Sequence, residues 1–366
     1  MDRGSLRGRP ESPGIRTRTR SLARRALRLG TAAALALLVS APAGSAPPVS
    51  ADRIWFTPGP GTLDFQRLFE HPEEWSRARD VISVFKFYQQ HTETRRPDIV
   101  GPNYYDALVR ANAFRKLREL RINTALEIGS VKDFWCTPDR SGMDASIRAT
   151  LDAVTAIENA GGTLKYIAMD EPWVSGRAEV CDGPALEPTA DRVATYMSAV
   201  QSAHPAIRIG LIEAYPFSSA AAIETMIGLL RARGTPPAFL HMDVDWHALG
   251  PGAFARDMTR LQAFATSQNI TFGIIIVGYD GDADALYAVD AGGIAHLIAD
   301  AFKTWDAMPE HLIFQSWVVS RTGLLITPSN LPEDRRYTHT NLLFQLFRRL
   351  RGATGGPVGR AVPRGD

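Results

Sequence analysis

From Asp52 onward the chain alternates short apolar runs of β-type residues with longer stretches of helical period. Eight runs read as strands: Arg53–Phe56, Val81–Tyr88, Asn123–Ile128, Leu164–Asp170, Ile207–Tyr215, Ala238–Asp245, Thr271–Tyr279 and His311–Trp317. Eight stretches between and after them read as helices: Leu63–Arg79, Tyr104–Leu120, Asp144–Asn159, Thr189–Ala203, Ala220–Arg233, Ala253–Thr266, Ala283–Ala307 and Thr338–Leu350. Strict alternation of the two calls for a parallel sheet with helices packed on it. Eight such units fit one closed (β/α)8 TIM barrel over residues 52–351. Punctuation agrees: Gly161-Gly162 and Gly234 stand where helices should stop, and Pro205 follows another. An open doubly wound sheet is the alternative. It would want a glycine-rich phosphate loop after the first strand, and Pro58 and Pro60 remove backbone donors from the one glycine-rich segment there.

The first 51 residues follow a different pattern. Nine arginines and only Asp2 and Glu11 precede an apolar run from Leu29 to Ser40, and small residues follow it. That run is too short for a span, which takes roughly 20 residues. A basic, then apolar, then small-residue order describes a signal peptide. Val49-Ser50-Ala51 suits cleavage better than Ala46, which Pro47 follows. Arg24-Arg25 loosely resembles a twin-arginine export signal. The expectation is a secreted or periplasmic protein with no stable membrane span after cleavage; the alternative is an N-terminal membrane anchor. Residues 352–366, rich in Gly, Pro and Arg, are expected to be a disordered tail.

Loss of the leader changes the charge. The whole chain carries a formal +2, and without the nine arginines and two acids of the leader it carries about −5. No basic stretch with interleaved aromatics appears, so a nucleic-acid partner is not expected. Cys136 and Cys181 are the only cysteines. An even count in an exported chain permits one disulfide, here between two loop-like stretches. Their spacing and the scattered histidines do not make a zinc site, and no metal or cofactor is expected.

In a barrel the chemistry sits at the carboxyl ends of the strands, so the polar residues that close each run are the informative ones. Strand two carries Lys86 and Tyr88, and strand three Glu127. Strand four ends Asp170-Glu171-Pro172-Trp173, and strand five brings Glu213 and Tyr215. Strand six brings His241, Asp243 and Asp245; strand seven Tyr279 and Asp280; strand eight Gln315 and Trp317. Side chains alternate along a strand, so Glu213 and Tyr215 share a face, as do His241, Asp243 and Asp245. Acids at strand ends also serve as caps of the next helix, and Asp245 and Asp280 suit that role best. Asp170-Glu171 is different, because Pro172 turns the chain out of the strand and leaves both carboxyl groups at the rim. Trp173, Tyr215, Tyr279 and Trp317 beside these acids offer the stacking faces that sugar rings need.

Asp170-Glu171-Pro172 on strand four and Gln315-Ser316-Trp317 on strand eight resemble the (β/α)8 glycoside hydrolases. Many of those enzymes end strand four in Asn-Glu-Pro, where the glutamate is the acid/base. The resemblance implies a carbohydrate substrate, Glu171 as proton donor, and Asp170 in the place of the asparagine. The same families carry a nucleophilic glutamate at the end of strand seven, and this chain has none there. Three arrangements then stand open. Asp280 is the nucleophile; or Asp170 pairs with Asp243 or Asp245, as in α-galactosidase-like barrels; or Asp170 orients a substrate N-acetyl group while Glu171 donates the proton, as in hexosaminidase-like sites. Two other classes compete: a metal-dependent hydrolase using His241, Asp243 and Asp245, and a non-catalytic carbohydrate-binding barrel.

Overall fold

Eight parallel strands close into one ring in the computed structural model, in the order β1-β2-β3-β4-β5-β6-β7-β8. They are β1 Ile54–Thr57, β2 Val84–Tyr88, β3 Asn123–Ile128, β4 Leu164–Asp170, β5 Arg208–Tyr215, β6 Phe239–Val244, β7 Thr271–Ile276 and β8 His311–Gln315. The structure describes residues 51–59, 62, 64–92, 104–136, 142–177, 181, 183, 185–278, 284–316 and 328–355. Residues 1–50 of the leader, Tyr279, Asp280, Trp317 and the end of the tail lie outside them. Gly352 and Ala353 extend the last helix, His339–Ala353.

The ring is a (β/α)8 barrel because every strand is buried on both sides. Inner faces meet across the axis and outer faces meet the helices, so strands such as Val-Phe-Lys-Phe-Tyr expose almost nothing. The parallel register fixes which residues share the inner face. Lys86 lies beside Ala125, Tyr88 beside Glu127, Glu127 beside Ala168, Asp170 beside Ile212, and Ile212 beside His241. Small inner residues make room for large ones. A Cβ on Gly210 would come within 2.3 Å of the Phe239 ring, and one on Gly273 within 2.8 Å of both His241 and His311.

Low in the barrel, Trp55, Tyr166, Phe239, His241 and His311 fill the axis, with Trp55 4.9 Å from both Tyr166 and His311 and 4.8 Å from His241. Asp52 closes the amino end: its carboxylate accepts from Asn123 Nδ2 at 2.9 Å, Lys165 Nζ at 2.7 Å and the Tyr166 hydroxyl at 2.6 Å.

Several helices differ from the sequence reading. The expected helix Leu63–Arg79 is interrupted at Pro72 into Arg67–Glu70, a 3-10 turn Pro72–Trp75 and Ser76–Val81. Val81 therefore ends a helix and does not start β2. The expected helix Tyr104–Leu120 divides at Asn112, whose φ of 55° is left-handed, into Tyr104–Arg110 and Ala113–Glu119. Helix Asp284–Ala301 stops six residues short of the expected Ala307, and a 3-10 turn Trp305–Ala307 follows. Two short helices that periodicity does not reveal, Pro172–Gly176 and Trp246–Leu249, follow β4 and β6. Both belong to the segments that shape the mouth.

Candidate active site

The carboxyl end of β4 is the centre of the mouth. Glu171 follows the strand in a left-handed conformation, φ 47° and ψ 44°, which costs a residue with a Cβ about 1 kcal/mol. Three contacts hold it there. Its own N–H donates to Ile212 O at 2.9 Å, and its C=O accepts from Ser175 N at 3.0 Å. Beneath it, the Glu213 carboxyl accepts the amides of Trp173 at 2.9 Å and Val174 at 3.3 Å. Glu213 thus caps the helix Pro172–Gly176 from the neighbouring strand. The Glu171 side chain makes no capping bond of its own and remains at the rim, 27% exposed.

Asp170 lies beside it, 20% exposed, in contact with the Lys132 ammonium, which is also 3.7 Å from Glu171 Oε2. Burial first, then the Asp170 charge, pushes the Glu171 carboxyl above its ordinary value, against the pull of Lys132. Glu171 therefore keeps its proton to higher pH than a free glutamate does.

Below the rim lies a buried polar network. The Lys86 ammonium is fully enclosed and donates to Glu127 and, at 2.7 Å, to Gln315 Oε1. Burial raises Glu127; Lys86 opposes this and Asp170 adds to it. The Tyr88 hydroxyl donates to Ser316 O at 3.3 Å, and Tyr287, from the helix after β7, donates to Gln315 O. Tyr88 also reports where the acids converge. Burial pushes its ionisation well up, and the charges of Glu127, Asp170 and Asp243 all add to that. Carboxylates from β3, β4 and β6 therefore act on one phenol in the barrel mouth.

Other residues singled out in the sequence occupy different places. Glu213 and Tyr215 do share a face, but it is the outer one: their register partners are Met242 and Val244, while inner Ala214 pairs with Asp243. Glu213 is 1% exposed, and the Tyr215 hydroxyl donates to Asp257 Oδ2 at 2.8 Å in the helix Pro251–Ser267. Burial raises Glu213 well above an ordinary carboxyl; the two amide bonds pull it down, and Glu171 and Asp170 push it further up. Neither Glu213 as a catalytic group nor Tyr215 as a sugar platform suits these positions.

His241 is fully buried, its Nε2 2.9 Å from His311 Nδ1, and burial with the neighbouring His311 holds it well below 6.5. It is part of the interior packing and not of the mouth. Asp245 caps the helix Trp246–Leu249 by accepting from Ala248 N at 3.1 Å. His241, Asp243 and Asp245 hence do not assemble as a set of metal ligands. Trp173 is fully buried, so it offers no open stacking face. Among the described residues, the one cluster with metal-ligating geometry is His71, Glu73 and Glu74, on the turn before β2.

The sequence reading missed Lys132, Tyr287 and Phe217. Phe217 follows β5 at the mouth and is 69% exposed, but a lone aromatic in a loop carries no pattern. Cys136 and Cys181 are bonded to each other. The bridge ties the loop that bears Lys132 to the segment after the helix Pro172–Gly176.

No protein-family model matches the chain, and no curated protein does. Solved structures do. Xylanase 10B from Thermotoga maritima is 12% identical, with 82% of this chain and 97% of that chain covered and a TM-score of 0.50. Protein N2152 from Neocallimastix frontalis is 11% identical, with 81% and 68% covered and a TM-score of 0.52. At such identities the likeness is one of fold: the chain resembles the (β/α)8 barrel of the glycoside hydrolases.

Proposed function

We propose that this chain hydrolyses glycosidic bonds, with Glu171 as the proton donor and the barrel mouth as the sugar site. The observation that carries this reading is the state of Glu171. It is held at the rim in a left-handed turn, reachable from solvent, and raised in pKa by burial and by Asp170. A general acid needs that combination, because it must hold a proton at working pH and deliver it to the leaving oxygen as the bond breaks.

The remaining groups have parts to play. Asp170 is held in place by its contact with Lys132. Asp243, on the inner face of β6, acts on the same phenol as Asp170. We assign it the part of the second carboxylate, which supports the oxocarbenium-like centre or activates water. The exposed ring of Phe217 offers an apolar face for a sugar. Export fits the same reading. A disulfide persists in oxidising compartments, and residues 1–51 have the order of a cleaved leader ahead of a catalytic barrel over 52–351. The product would work outside the cytoplasm on carbohydrate, without a cofactor.

A screen of aryl glycosides and polysaccharides for released reducing ends tests the proposal, run on the wild type and on Glu171→Gln together. Release by the wild type that the variant lacks is the expected result. Glycan binding with no release by either protein would instead make the barrel a carbohydrate-binding module.

A further inference from the structure

Lys132 is the only described basic side chain in contact with the acid pair, and its backbone is unusually well fixed. Its neighbours Ser130, Val131 and Trp135 are buried. The turn closes on itself through Asp133 N to Gly129 O at 2.9 Å and Trp135 N to Val131 O at 2.9 Å, and Gly142 N donates to Phe134 O at 2.9 Å. The Ser146 hydroxyl donates to Ser130 O at 3.1 Å, which fastens the turn to the helix Gly142–Asn159. Gly129 stands at the start, where a Cβ would come within 2.2 Å of the Asp133 carboxylate. Cys136, at the end, is bonded to Cys181 beyond the helix that Glu171 begins. The turn therefore delivers one ammonium to one place. It meets Asp170 directly and stays 3.7 Å from Glu171 Oε2.

We propose that Lys132 is the positioning residue of the acid pair: its ammonium holds the Asp170 carboxyl group and stands farther from Glu171, so that the two adjacent acids meet different surroundings. Two adjacent carboxyl groups repel each other when charged, and each acts on the other alike. An ammonium bonded to one and farther from the other breaks that symmetry. The inference rests on Glu171 being the proton donor, but the electrostatic arrangement can be measured without turnover.

The described charges that face Glu171 are Asp170 from its own strand end, Lys132 from the β3 turn, and Glu213 beneath from β5; Glu127 on β3 faces Lys132 and Asp170. Burial lowers the Lys132 ammonium, but Asp170, Glu171 and Glu127 together outweigh it and hold the ammonium above its ordinary value. Lys132 is thus charged wherever Glu171 titrates. Its removal leaves Asp170 unopposed beside Glu171. Removal of the Asp170 charge instead ends the repulsion and leaves Lys132 to Glu171. The two perturbations have opposite signs, which loss of a merely structural contact would not produce.

The test is titration of the Glu171 carboxyl by carbon-detected NMR on full-length protein labelled at glutamate side chains, with assignment from the signal that Glu171→Gln loses. In Lys132→Met the midpoint should rise by about one unit, the lower end of what a charge at such a distance does. In Asp170→Asn it should fall, and in Lys132→Arg it should stay near the wild-type value. Movement of both midpoints in the same direction, or an unmoved midpoint in Lys132→Met, would overturn the proposal. Should a variant lose its near-ultraviolet circular dichroism, the remaining charge variant and Lys132→Arg decide the sign. A wild type that releases no sugar while these shifts appear would refute the glycosidase reading alone.

Discussion

Glu213 is the acid whose assignment matters most to the account, because sequence and structure give it different work. In the structure both its oxygens accept backbone amides, those of Trp173 and Val174, at 1% exposure. Glu213→Ala leaves the buried Trp173 amide and the partly buried Val174 amide without their acceptor. A buried donor left unpaired costs about 1–3 kcal/mol, so the variant should lose at least about 1–3 kcal/mol, and with it the seat of Glu171. Glu213→Gln keeps one acceptor oxygen and carries no charge at any pH. The difference between wild type and this variant should therefore depend on pH. Burial raises the folded-state pKa of Glu213 above the ordinary glutamate value of about 4.5. A raised carboxyl contributes its full stability below the unfolded value. That contribution is lost as pH rises from about 4.5 through the folded value, at about 1.4 kcal/mol per pH unit. Urea unfolding followed by tryptophan fluorescence, from pH 4 to pH 7, reads this directly. Relative to wild type, Glu213→Gln should be less stable or equal near pH 4 and should gain as pH rises above about 4.5. A pH-independent difference, or a Glu213→Ala variant as stable as wild type, would refute the capping role.

Two further outcomes follow from the interior. Lys86→Met should cost about 3–5 kcal/mol by leaving Glu127 buried without its cation, whereas Lys86→Met with Glu127→Leu should recover much of that in the same unfolding assay. Gly210→Ala should cost about 1–3 kcal/mol, because the new methyl would press on the Phe239 ring; a neutral effect on the thermal midpoint would show that the aromatic layer is looser than described.

The sequence made the ring legible for a simple reason. Each strand is apolar on both faces and each is followed by a helix, so the alternation survives without long-range information; β3 and β4 agree with the reading to the residue. The same double burial hid the faces. In Gly-Leu-Ile-Glu-Ala-Tyr both alternating sets look suited to a core, so period two shows that Glu213 and Tyr215 go together but not which way they point. Only the register, with Asp170 beside Ile212, places them outside. His241 misled for a related reason: a histidine between apolar neighbours gives no sign that it will meet His311 from a strand 70 positions away. Asp170 and Glu171 were readable because Pro172 is a local steric signal. Lys132 was not, since what matters in it is the tip of a long side chain reaching across from another loop.

The central claim is that Glu171 supplies a proton to the leaving group. A series of aryl glycosides with leaving groups of increasing basicity, hydrolysed by wild type and Glu171→Gln, tests it most directly. The variant should turn over activated dinitrophenyl substrates nearly as well as wild type but lose about 10²–10⁴-fold on the most basic leaving groups. A loss of the same size on every substrate, or no loss on any, would contradict it.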